Sequence, residues 1–304
     1  LDGRSPKCEP LWPSTLSACA VLFRELGPSS HPSCSSLIVA MGAMYTTHAI
    51  GDARAALVDA LGASAKAVGT ATFCELLPIR TPSSSPSSNA EDSAWLLTVL
   101  RGRIDRSSLG FFSSYFMPMQ KELAERAAAA GAHHRPVEQK NLATVREHVW
   151  ALFPGFCACA TDAADAFGAL ARTLGGLLTD EPSLRQHILQ GIGLLILAQR
   201  SRVSASGTGL TPDADRGVSA LGRYAKNFMP LLFNLHQAEL AEAKQAVLLE
   251  TIAAYASVAP DELLADFFKS VLRKFLELSG DDSSQLMQHD HKAIQQQRGL
   301  SELL

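Results

Sequence analysis

Apolar residues recur along the chain at helical spacing, in segments divided by short polar or Gly/Pro breaks. The spacing predicts helices over Ser14 to Leu26 and Ser36 to Ile50, then a longer one over Asp52 to Ile79, interrupted near Gly62 or Gly69. Further helices are predicted over Ser93 to Arg103, Ser107 to Ala130 and Gln139 to Phe153, with Gly131 and Pro136 bracketing a turn. The sharpest pattern is Asp162 to Leu178, where Phe167, Leu170, Ala171, Leu174, Leu177 and Leu178 share one face. Thr161 reads as its N-cap, Asp162 and Asp165 suit the positive end of the helix dipole, and Gly175 and Gly176 weaken its far end. Thr179 to Pro182 opens the next helix, with Pro182 near its first position, and that helix runs to about Gln199. After the glycine loop Ser204 to Gly209 comes a helix ending near His236, followed by Glu242 to Ser257 and Pro260 to Leu278. The last carries an apolar stripe of Leu264, Phe267, Phe268, Val271, Leu272 and Phe275.

No alternating strand pattern competes with these helices. About a dozen helices over this length give pairs of roughly 40–47 residues, the period of HEAT and armadillo repeats. The predicted fold is therefore all-α, a HEAT/armadillo-like α-solenoid of antiparallel helix pairs, with an irregular helical bundle as the alternative. Thr81 to Ser88 is too rich in Pro and Ser to pack and reads as a flexible linker. The chain accordingly divides into N-terminal repeats at 1–80, a Pro/Ser-rich loop at 81–92, further repeats at 93–278, and a polar tail or the start of another helix at 279–304.

Composition supports helix over sheet: 47% of the 304 residues are hydrophobic but only 7% aromatic, with Ala and Leu dominant. The net charge of −3 and isoelectric point near 6.3 argue against a surface that holds nucleic acid mainly through phosphates, so any RNA contact is expected to be local. Cys8, Cys19, Cys34, Cys74, Cys157 and Cys159 lack framework spacing and read as reduced thiols. Apolar runs such as Ile192 to Ala198 are too short for a membrane span, and the first residues lack the apolar stretch of a signal peptide. A first residue other than Met, and last residues resembling the middle of a helix, suggest a piece of a longer protein.

Candidate chemistry is sparse. Cys157 and Cys159 lack the second ligand pair that a zinc site needs, and read as packing in a turn between helices. His133, His134, His289 and His291 sit in polar segments without partners at ligand spacing, and Gly207-x-Gly209 lacks the lysine of a phosphate loop. No serine lies in a G-x-S-x-G elbow. No catalytic, cofactor, metal or small-molecule site is therefore predicted. Contacts to RNA or a partner fall instead on Arg101, Arg103 and Arg106 near a helix–helix turn, Arg200 and Arg202 before the glycine loop, and Lys226 and Asn227. A solvated charge cluster is the plainer reading of the arginines, and capping of a neighbouring turn that of Lys226 and Asn227.

Trp150, Leu152, Pro154, Phe156 and Cys157 form a W-x-L-x-P-x-F-C stretch, followed by Thr161-Asp162 and an F-x-x-L-A-R-x-L-G helix from Phe167 to Gly175. Asp180 to Arg185 gives an E-x-P-x-L-R-like helix start, and Ala225 to Leu235 reads A-K-N-F-M-P-L-L-F-N-L. In order and spacing these blocks resemble the ribosomal RNA processing protein 12 family between about Leu109 and Leu278; upstream the similarity is general helical character, and after Ser279 the tail departs. The resemblance implies a HEAT-repeat scaffold without enzymatic activity. It further implies association with small-subunit precursors and pre-rRNA, contacts with the Ran GTPase and nucleoporins, and a place in the nucleolus and nucleus with shuttling to the cytoplasm.

Overall fold

The computed structural model describes residues 11–47, 51–81, 92–205 and 212–281, and among these every regular element is helical. The chain forms two compact units, 1–161 and 162–304.

In the first unit, α1 (Trp12–Leu26), α2 (Ser35–Thr47) and α3 (Arg54–Val68) pack together, followed by the short helices α4 (Thr70–Leu76) and α5 (Trp95–Leu100). Helix α1 starts at a proline-containing first turn and buries Leu16, Ala20 and Phe23, one helical stripe. Helix α3 is buried on most sides through Leu57, Ala60, Leu61, Ala63, Ala65 and Ala67, and its small side chains let neighbouring helices approach closely. The break before α4 falls at Gly69, whose φ of +84° suits glycine alone, whereas Gly62 stays inside α3.

The unit continues with α6 (Leu109–Phe111), a π-turn at Phe112–Phe116, α7 (Met117–Ala132), α8 (Pro136–Trp150) and α9 (Phe153–Cys159). Helices α7 and α8 pack on each other across a connection of only His133 to Arg135, as an antiparallel pair. The π-turn brings Phe112 and Phe116 against Trp150, Phe153 and Phe156, all five fully buried. Phe112 lies 5.1 Å from Phe153 and 5.8 Å from Trp150, ring centre to ring centre, and Phe116 lies 5.5 Å from Phe156. Trp150 Nε1 donates to Oε1 of the buried Gln120 at 3.4 Å, satisfying its polar end. The W-x-L-x-P-x-F-C stretch thus owes its pattern to this aromatic core.

The second unit contains α10 (Ala163–Asp180), α11 (Arg185–Ala205), α12 (Pro212–Arg223), α13 (Ala225–Ala238), α14 (Glu242–Ala256) and α15 (Asp261–Asp281). Its core joins Phe167, Leu170 and Leu174 of α10, Ile188, Ile192 and Ile196 of α11, and Phe228 and Leu232 of α13. Phe228 stacks on Tyr255 of α14 at 5.4 Å. Gly222 permits a close approach: a β-carbon there would lie 2.4 Å from the backbone oxygen of Val258.

Several boundaries differ from those predicted. Asp162, not Thr161, precedes α10, and that helix continues past Gly175 and Gly176 to Asp180. Pro182 lies in the turn before α11, which begins at Arg185. The helix predicted to end near His236 is two, broken at Tyr224, and Cys157 and Cys159 lie within α9 rather than in a turn. Residues 82–91 of the Pro/Ser loop, 206–211 of the glycine loop and the tail from 282 lie outside the described residues. The base of the Pro/Ser loop is nonetheless closed. Ser93 N donates to the Arg80 carbonyl at 3.0 Å, Arg80 N donates to Ser93 Oγ at 2.7 Å, and Ser93 Oγ donates to the Pro78 carbonyl at 2.8 Å. Helices on either side of that loop pack within the first unit, and the division between units falls at Thr161–Asp162.

Candidate functional site

The predicted basic residues fall in distinct settings. Arg103 Nη1 lies 3.1 Å from Asp59 Oδ1 and donates to the Asp59 carbonyl at 3.1 Å, while Arg24 Nη2 reaches Asp59 Oδ2 at 2.5 Å. The Arg103 side chain crosses α3 over Gly62, where a β-carbon would sit 2.1 Å from Nη1. Burial pushes the Asp59 carboxyl up, but the hydrogen bonds and charges of Arg24 and Arg103 outweigh it and hold the group below its ordinary range. The Arg103 charge is therefore engaged inside its own unit. Arg101, just after α5, and Arg106, at φ +49° in the turn before α6, are exposed and carry no ion pair among the described residues.

In the second unit Arg200 is exposed at one end of a groove between α11 and α14, about 540 Å³ in volume and floored by Leu189, Gly193, Leu197 and Val247. Arg202, further along α11, is half-buried. Lys226 and Asn227 open α13, both exposed, and their side chains make no hydrogen bond or ion pair among the described residues. No capping bond therefore accounts for them. Asn227 lines a separate groove of about 460 Å³ between α10 and α13, together with Gly168, Arg172, Gly175, Gly176 and Tyr224.

That groove contains a residue the sequence reading did not single out. Arg172 is exposed, lines the groove, and has no ion pair or side-chain hydrogen bond among the described residues. No carboxylate is among the lining residues. Gly168 is explained by packing, because a β-carbon there would meet the Tyr224 hydroxyl at 2.8 Å. Gly175 and Gly176 are not: no described residue lies within 4 Å of where their β-carbons would be. Each glycine in a helix interior costs about 1 kcal/mol relative to alanine. The pair in the sequence was the available signal, read there as a weakened helix end.

Cys74, Cys157 and Cys159 have packing roles. Desolvation pushes the fully buried Cys157 thiol well up, with Cys159 adding to the effect, and raises Cys74 to about 12. Cys159 Sγ donates to the Gly155 carbonyl at 3.2 Å. Among the described residues no group of three or more His, Cys, Asp or Glu side chains is placed to hold a metal, and no helix is long and apolar enough to cross a membrane.

Short helices paired across tight turns, a core of interdigitated aliphatic and aromatic stripes, and grooves between neighbouring helices define a HEAT-repeat protein of the all-α class. The family model for ribosomal RNA-processing protein 12, HEAT repeats, matches residues 3–239, and the chain belongs to this family. It is 30% identical over 289 residues to the human RRP12-like protein, covering 94% of this chain and 21% of that protein. The chicken RRP12-like protein is 30% identical over 295 residues, and ribosomal RNA-processing protein 12 of Saccharomyces cerevisiae 23% identical over 253. The chain spans about a fifth of the length of these relatives. The similarity reaches well upstream of Leu109, where the sequence blocks alone gave only general helical character.

Proposed function

We propose that this chain is part of a non-catalytic scaffold in ribosome biogenesis, which binds small-subunit precursors through the exposed surfaces of its helix pairs. Family membership carries this reading, since the matched relatives are named for ribosomal RNA processing. The physics is consistent with it: stacked helix pairs offer long surfaces on which several weak contacts add together. Arg101, Arg106, Arg200, Lys226 and Asn227 are exposed and available to partners, while Arg103 acts there only if its bond to Asp59 opens. The protein works in the nucleolus and nucleus on this reading. Affinity purification of the tagged full-length protein should recover small-subunit precursor RNA and assembly proteins; recovery of unrelated complexes alone would contradict it.

A second reading, a transport-receptor-like repeat that binds Ran or nucleoporins without RNA, is favoured by the slightly acidic net charge of −3. It requires nucleotide-dependent capture of Ran and RNA affinity that hardly changes with salt.

A further inference from the structure

We propose that the groove between α10 and α13 is a binding site for single-stranded RNA. Arg172 holds a phosphate there, and Asn227 meets a base or ribose laid against the bare helix surface of Gly175 and Gly176. This rests on the ribosome-biogenesis reading and gives it a site.

Three observations converge. First, Arg172 and Asn227 line the groove as exposed side chains with no hydrogen bond or ion pair among the described residues, so binding a ligand breaks no internal contact. Second, the lining carries the charge of Arg172 and includes no carboxylate, which favours an anionic ligand although the whole chain carries −3. Third, no described residue lies within 4 Å of where a β-carbon of Gly175 or Gly176 would be, and neither has the positive φ that would call for glycine. The groove's volume of about 460 Å³ lies within the roughly 300–1,000 Å³ range of small-ligand clefts, enough for a nucleotide unit.

The choice of RNA over an acidic peptide follows from the polar groups. The Asn227 carboxamide both donates and accepts, as base edges require, whereas the carboxylate side chains of an acidic peptide offer only acceptors. A helix surface stripped of β-carbons admits a flat base, and an arginine fork matches a phosphate in two hydrogen bonds. One phosphate contact to a single strand implies a slope of log affinity against log salt of about −0.7 from this site. Such a contact is local, which accommodates the acidic balance of the chain.

The test uses the full-length protein and a fluorescein-labelled oligouridylate, with an oligoglutamate peptide as the competing probe. Arg172→Ala should weaken RNA binding about tenfold and make the salt slope shallower by about 0.7. Gly176→Gln, which fills the groove with a better helix former, should raise the melting temperature yet lower RNA affinity. A purely structural glycine would give the first effect without the second. The proposal is overturned if the wild-type protein binds no RNA, or if neither variant alters RNA affinity. It is equally overturned if only the charge variant does, which puts RNA outside the groove, or if the variants lose the peptide and keep the RNA. Continued recovery of small-subunit precursors by the wild-type protein would leave the scaffold reading standing in each of these cases.

Discussion

Phe112 shows how single side chains hold the first unit: it touches Trp150, Phe153, Phe156 and Phe116 at once. Removing it leaves a cavity in a rigid aromatic cluster, so Phe112→Ala should cost about 3–5 kcal/mol in that unit, read from denaturant unfolding. A loss below about 1 kcal/mol would mean the cluster is not packed as described. Asp59 gives a pH dependence of definite sign. Its folded value lies below the unfolded one, so its contribution is complete above roughly pH 4–5 and fades as the pH falls through the folded value. With the Asp59 side chain 42% exposed, that contribution stays within the roughly 0–1 kcal/mol of exposed ion pairs. Asp59→Asn should therefore lower stability slightly near neutral pH and flatten its loss in acid. Thiol labelling offers another check: Cys74 and Cys157 should resist reagents in the native protein and react once it is unfolded, because burial keeps both protonated.

Among the elements, α13 contains a local conflict. Pro230 lies inside it and leaves the Lys226 carbonyl without the usual partner four residues on. Pro230→Ala should stabilise the helix by about 1–3 kcal/mol, seen as a higher melting temperature; destabilisation would mean that the surrounding core requires the bend. The helices themselves were legible because their periodicity is strong: in the α10 stripe Phe167, Leu170, Ala171, Leu174 and Leu178 are buried as read, while Leu177 is half-buried. Boundaries were less legible where tertiary packing decided them. Gly175 and Gly176 stay helical because α10 is held by its buried face, and the π-turn at Phe112 follows from an aromatic cluster whose members are distant in sequence. Helix starts were misread where a capping residue or proline could serve at more than one position, as at Thr161 and Pro182. For the same reason the groove between α10 and α13 was half legible. Asn227 stood out in its segment, whereas Arg172 gained meaning only when folding set α10 beside α13.

For the whole molecule, the fold class followed from helix rhythm, and the family from ordered sequence blocks later joined by a match over 3–239. A Pro/Ser-rich stretch marks a loop whether or not it separates compact units, and the two compact units divide at Thr161–Asp162. Here the Arg80–Ser93 bonds tie that loop shut within one unit. The central claim is that these helices serve a scaffold riding on pre-ribosomal particles. Sedimentation of the tagged full-length protein from cell extract through a sucrose gradient tests it most directly. The account predicts that the protein travels with small-subunit precursors and moves to the light fractions when RNase breaks them down. A protein that stays in the light fractions throughout, apart from precursor RNA, would contradict it.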